Sequence, residues 1–319
     1  MELNFKPIRL KDRNTLLEFL GKDDKTKAYP YYLNPSYLEL NSNGPYKYTV
    51  IDLEDGDKVL ACIKDIKMFS TKYWRILGYP ISLNGNRENE DKVYNHLANL
   101  ENVRCIWLNE YQLDRVGKTV EDFKGWVDND FCSIIEDRLK YVSTSKYRSK
   151  NRLNIYKDKL NYRLATLEDK AALMDIREGW LKEKKDNKKS VSGTRLFKSL
   201  FRDYERLIDE NSPDRLMVLT YEDVILGYTI INDMGNGYYH QIAINNLKVT
   251  TYKGDNEDIK KVLTSIGRVM YYYIIKDLAN RNGKVLTHTG SIRGEGLFNF
   301  KKNLCEVDIK YYEHLIKGD

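Results

Sequence analysis

The two halves of this chain read as one order of elements used twice, and that repetition limits the possible folds more than any single motif does. Residues 5–20 read as a short strand and an amphipathic helix, with Asp12 placed to cap it and Leu16, Leu17, Phe19 and Leu20 on its inner side. Tyr46–Asp52 and Val59–Met68 alternate as strands about the turn Glu54-Asp55-Gly56-Asp57. A strand at Trp74–Leu83, a helix at Arg87–Leu100, a buried strand at Val103–Asn109 and a helix at Phe131–Lys140 complete the first half.

The second half starts with a strand at Tyr162–Leu164 and a helix opening at Thr166-Leu167-Glu168-Asp169, followed by a helix at Phe197–Ile208. A hairpin about Glu222-Asp223, a strand at Gly237–Ile244, a long helix from Asp255 to Ala279 and a strand at Val285–His288 follow. The pattern predicts a mixed α/β chain of the α+β type. Its expected parts are an N-terminal domain over 1–137, a basic linker helix over 138–161 and a C-terminal domain over 162–319.

At 319 residues the chain can bury two full cores without disulfides or metals. Its four cysteines are far apart and lack CxxC or histidine spacing, which argues against a zinc site and fits a reducing cytoplasm. No run approaches the length of a membrane span, so a soluble, cytoplasmic protein is expected. The abundance of Tyr, Lys, Asn and Ile fits an A+T-rich genome of a low-G+C bacterium or its phage.

Cations are concentrated in two places. Nine Lys or Arg fall among the twenty-six residues from Arg138 to Arg163. Arg148, Lys150, Arg152 and Lys157 in this run offer either a solvated linker face or a wall for tRNA or DNA phosphates. The stretch from Thr287 to Leu304 joins Gly290, Gly294 and Gly296 to Arg293, Lys301 and Lys302, a turn suited to an anion if it is more than a surface loop.

The duplicated order suggests the GNAT acyltransferase architecture used in tandem. Tyr147-Arg148-Ser149-Lys150-Asn151-Arg152-Leu153-Asn154, Tyr162-Arg163-Leu164-Ala165-Thr166-Leu167-Glu168-Asp169, Trp180 and Gly296-Leu297-Phe298-Asn299-Phe300-Lys301-Lys302 carry a closer likeness. With these residues the chain resembles the C-terminal domain of phosphatidylglycerol lysyltransferase-like proteins, tandem GNAT-like proteins related in fold to the FemAB peptidyltransferases. The resemblance implies an acyl or aminoacyl transferase that holds no tightly bound cofactor and uses acyl-CoA or aminoacyl-tRNA as co-substrate. It also implies an amine or hydroxyl acceptor.

Such chemistry needs an oxyanion site, a proton acceptor and cations for the donor. His240, with Tyr238 beside it on the central strand, is the first candidate base, and His288 at the end of the last strand competes with it. A core histidine bonded to backbone is the alternative for His240. Tyr239 and Gln241, on the other side of that strand, are expected to contact the acceptor or a nucleic acid. Arg293, Gly294, Gly296, Lys301, Lys302, Lys253 and Gly254 are expected to bind the donor, and no metal ligands are expected.

Asn245–Asp255 departs from the Gln/Arg-x-x-Gly-x-Gly/Ala loop of acetyl-CoA-dependent relatives, having one glycine. That favours a larger donor over acetyl-CoA. Two further readings stay open, a phage-type transferase that modifies DNA bases and a non-catalytic binding protein.

Overall fold

The computed structural model describes residues 3–19, 33–41, 46–68, 71–186, 202–288 and 296–316. The chain divides into two compact units, Met1–Cys132 with Thr289–Asp319, and Ser133–His288.

The first unit carries β1 (Lys6–Pro7), α1 (Arg13–Phe19), α2 (Pro35–Asn41), β2 (Tyr46–Asp52), β3 (Lys58–Met68), β4 (Thr71–Leu77) and β5 (Ile81–Ser82). Next come α3 (Arg87–Ala98), β6 (Val103–Asn109) and most of β7 (Asp128–Ile134). Strand order there is β1-β2-β3-β4-β6-β13-β7, where β13 is Val307–Leu315, with β5 beside β3. Gly56 turns the β2–β3 hairpin at φ +81°, as glycine permits. Asn86 caps α3, its side chain accepting from the N–H groups of Glu88 and Asn89 at 3.0 and 3.4 Å. Val93 and Leu97 of this helix then pack with Ile76, Val103 and Ile106 in the core.

The second unit opens with α4 (Ile135–Ser143), followed by α5 (Lys150–Tyr156), β8 (Leu160–Leu164), α6 (Lys170–Asp186), α7 (Tyr204–Leu207), β9 (Asp214–Tyr221) and β10 (Val224–Gly235). Then come β11 (Tyr238–Asn246), α8 (Glu257–Leu263), α9 (Ile266–Asn280) and β12 (Val285–His288). The strands run β12-β11-β10-β9-β8. Below α6 the Thr166 backbone N–H and hydroxyl both donate to Asp169 Oδ2, at 2.7 and 3.2 Å, one half of a capping box.

α10 (Gly296–Leu304) and β13 (Val307–Leu315) close the chain and group with the first unit. They were expected in the C-terminal domain. The physical reason for the change is that β13 pairs antiparallel with both β6 and β7, a set of backbone hydrogen bonds that sequence order does not announce. The basic segment 138–161, expected as a linker, lies inside the second unit.

Three local expectations change. Phe131–Ile134 is strand, the end of a β7 whose Asp128–Cys132 pairs with β13, and the helix starts only at Ile135. The long helix of the second half is broken at Thr264–Ser265 into α8 and α9. Of the expected helix at 197–208 the described part is the short α7, and the rest lies outside the described residues. Arg281-Asn282-Gly283 stops α9 as expected, with Asn282 at φ +58° and the Gly283 N–H donating to the Leu278 carbonyl at 2.8 Å.

Candidate functional site

The second unit's site grows out of an irregularity in β11. Ile230 pairs with Ala243 and Ile231 with Gln241, so Ile242 is an extra residue opposite the β10 ladder. On its other side β11 pairs in parallel with β12 from Tyr238–Val285 to Gln241–His288, and the ladder stops there. Beyond Gln241, β11 has ladder partners on β10 alone among the described residues.

At that last ladder pair a chain of buried polar side chains begins. His288 Nδ1 lies 2.7 Å from Gln241 Oε1, and His288 Nε2 lies 3.1 Å from Ser133 Oγ. Ser133 Oγ is in turn 2.7 Å from the Tyr271 hydroxyl. At the opposite end Gln241 Nε2 donates to Thr229 Oγ1 at 3.2 Å, and Thr229 donates to the Ala243 carbonyl at 2.7 Å. Ser133, His288 and Gln241 are 0, 4 and 7% exposed.

The Gln241 amide NH₂ faces Thr229, so its carbonyl oxygen faces His288 and accepts from Nδ1–H. In the neutral Nδ1–H tautomer the Nε2 lone pair faces the Ser133 hydroxyl, which also meets the Tyr271 hydroxyl.

Of the other expected site residues, His240 is buried on the opposite side of β11, in register with Asn232 and Thr287. Asn232 Nδ2 there donates to Asp214 Oδ1 at 2.5 Å, and Arg206 pairs with the same carboxylate. Tyr238 is half-buried at the start of the strand. Tyr239 and Gln241, expected at a surface contact, are both buried, because the face of β11 that carries them is covered. Gln241 aims His288 instead. Lys253 is exposed and Gly254 half-buried in the loop after β11, where a Cβ on Gly254 would lie 2.4 Å from the Tyr252 hydroxyl.

In the basic segment Arg148 and Lys157 are exposed, while Lys150 and Arg152 are half-buried. Lys150 Nζ lies 5.5 Å from the Tyr272 ring centroid. Arg293 and Gly294 lie outside the described residues, and Gly296 starts α10. Lys302 is exposed, but Lys301 is buried within the first unit. Burial pulls its ammonium pKa down to about 8, against the opposing pull of Cys305, Asp130 and Asp128. Lys301 is therefore no simple surface phosphate contact. Its neighbour Asp130 accepts from the Tyr311 hydroxyl at 2.9 Å. His96 and His314, not expected to act, are half-buried, with burial lowering the His314 pKa. Among the described residues no cluster of His, Cys, Asp or Glu could hold a metal ion, and no helix is long and apolar enough to cross a membrane.

Sequence reasoning missed Ser133, Thr229 and Tyr271 as members of the network. Ser133 stands 155 positions from His288. Only strand pairing brings them together, and no local motif marks either.

The fold recurs in known structures. A protein of unknown function from Bacteroides thetaiotaomicron VPI-5482 superposes with TM-score 0.67 at 14% identity, over 99% of this chain and 100% of that one. L-PGS from Bacillus licheniformis superposes with TM-score 0.50 at 11% identity, over 98% of this chain and 93% of that one. The expected resemblance to lysylphosphatidylglycerol synthetase-like folds therefore holds in three dimensions, as a likeness of fold. No protein-family model matches the chain, and no curated protein matches its sequence.

Proposed function

We propose that the chain is an acyl or aminoacyl transferase that moves an activated acyl group onto an amine or hydroxyl acceptor, with His288 as the proton acceptor. The single observation that carries this reading is the Ser133–His288–Gln241 chain at the point where the β11–β12 ladder ends. The likeness in fold to L-PGS supports the reaction class.

In this reading the acceptor attacks the donor carbonyl, and its proton passes through the Ser133 hydroxyl to His288 Nε2. A hydroxyl can relay because it donates one proton while accepting another. The N–H groups of Ile242–Asn246 that point away from β10 are the candidate oxyanion donors, since backbone N–H groups are held rigidly and need no reorganisation. Collapse of the tetrahedral intermediate expels the donor's leaving group, which takes up the proton held on His288 and so restores the base.

Acyl-CoA and aminoacyl-tRNA both remain donor candidates, and the loop after β11 favours the larger one. Tyr252 closes on Gly254 in that loop, which has no second glycine to admit a pyrophosphate. Exposed Arg148 and Lys157 suit a tRNA backbone. They suit DNA equally, so a DNA-modifying transferase is the second reading.

The test is single-turnover transfer from radiolabelled aminoacyl-tRNA and from acetyl-CoA to a panel of amines. His288→Gln is expected to lose transfer by about 100-fold or more, the usual worth of a general base. His240→Gln should retain most of it. Full activity in His288→Gln refutes the assignment, and tight DNA binding with no affinity for tRNA moves the balance to the second reading.

A further inference from the structure

Apart from the His288 network, the described residues of the second unit line a further opening. It is a groove of about 920 Å³ between α6 and the loop 247–254, within the size range of small-molecule sites. Its apolar lining includes Ala172, Ile176, Ile225 and Leu247. At Ala172 and Gly179 the helix wall is recessed, and a Cβ on Gly179 would already touch Thr251 at 3.5 Å.

Charge selects the occupant. Glu168, Asp175, Glu178 and Asp223 line the groove and are exposed, against Lys182 and Lys253. Asp169 also lines it, but Arg163 neutralises that carboxylate with two hydrogen bonds of 2.6 and 2.9 Å. None of the four exposed carboxylates enters an ion pair among the described residues, although Lys248 of the same loop pairs with Glu183. With four exposed carboxylates against two lysines, an anion would meet an excess of negative charge here.

Nor do the carboxylates converge. No cluster among the described residues is tight enough for a metal ion. Asp175 and Glu178 sit on α6, Glu168 lies in the turn before it, and Asp223 belongs to the β9–β10 turn, so the four come from separate parts of the lining. An apolar lining with spread carboxylates matches an extended organic cation, whose methylenes cover the lining while its ammonium groups stay at the wet rim.

We propose that this groove binds a linear aliphatic polyamine. The proposal concerns binding and stands whether or not the chain transfers acyl groups.

Spermidine titrated into the full chain by calorimetry at low ionic strength tests it. Wild type should bind one equivalent, and Asp175→Asn/Glu178→Gln should weaken binding about tenfold, as expected for two partly exposed charge contacts. Ala172→Lys, which places a competing ammonium in the groove, should weaken it at least as much. A control that removes two exposed acids away from the groove, Glu121→Gln/Glu136→Gln, must leave affinity within about twofold. Equal weakening in that control, complete displacement by Mg²⁺ at matched ionic strength, or no binding at all overturns the proposal. So does coenzyme A binding that Lys253→Ala abolishes.

Discussion

Replacing Gln241 by Leu removes the acceptor for His288 Nδ1–H and the donor to Thr229 in one step. Thr229 keeps its bond to the Ala243 carbonyl, so its hydroxyl stays satisfied. The cost therefore falls on the imidazole, which is 4% exposed and cannot turn to water. An unsatisfied buried N–H costs about 1–3 kcal/mol, and the near-isosteric Leu limits any cavity contribution. That range corresponds to a fall in melting temperature of roughly 2–4 °C per kcal/mol for a unit of this size.

The variant should also free the tautomer. Imidazole ¹⁵N shifts should show His288 as Nδ1–H in wild type and shifted toward Nε2–H in Gln241→Leu. Gln241→Glu, which can still accept from Nδ1–H, should keep the wild-type tautomer. An unchanged unfolding midpoint together with an unchanged tautomer in Gln241→Leu would refute the chain of hydrogen bonds as described.

Lys301 makes a pH-dependent prediction. Its folded pKa of about 8 lies below the ordinary 10.5, so burial of the charged form destabilises the native state below about 8, and the penalty fades as pH rises toward 10.5. Lys301→Met should thus be more stable than wild type at pH 7, by up to about 3 kcal/mol from the size of the shift, with the advantage shrinking by pH 10 in urea titrations. Gly283→Ala should destabilise by about 1–3 kcal/mol, since its Cβ would lie 2.7 Å from the Leu278 carbonyl oxygen; a melting temperature equal to wild type would contradict that geometry. If Arg148 and Lys157 contact phosphates, Arg148→Ala/Lys157→Ala should lower the salt slope of nucleic-acid binding by about 1.5–2, and an unchanged slope removes them from the contact surface.

Much of the fold was legible because it rests on short-range patterns. The β2–β3 and β9–β10 hairpins follow from alternation about Glu54–Asp57 and Glu222-Asp223, and α3 follows from its apolar stripe, while its cap at Asn86 was not read from the sequence. The stop at Arg281-Asn282-Gly283 follows from one residue that takes positive φ and one that tolerates no side chain. Phe131–Ile134 was misread as helix because its strand state depends on β13, far away in sequence. The candidate site was legible in one part: His288 was named at a strand end as the competitor of His240, whereas its contact with Gln241 was not read, because only the β11–β12 ladder brings the two together.

By itself the sequence determined the mixed α/β class, most strands and helices, the basic run from Arg138 to Arg163 and a short list of histidines, since each is a property of neighbouring residues. Tertiary structure decided that His288 lies against Gln241 and Ser133, that Lys301 is buried, and that Thr289–Asp319 groups with the N-terminal unit. These depend on β-ladders and burial between residues over a hundred positions apart, and side-chain periodicity carries no record of such partners.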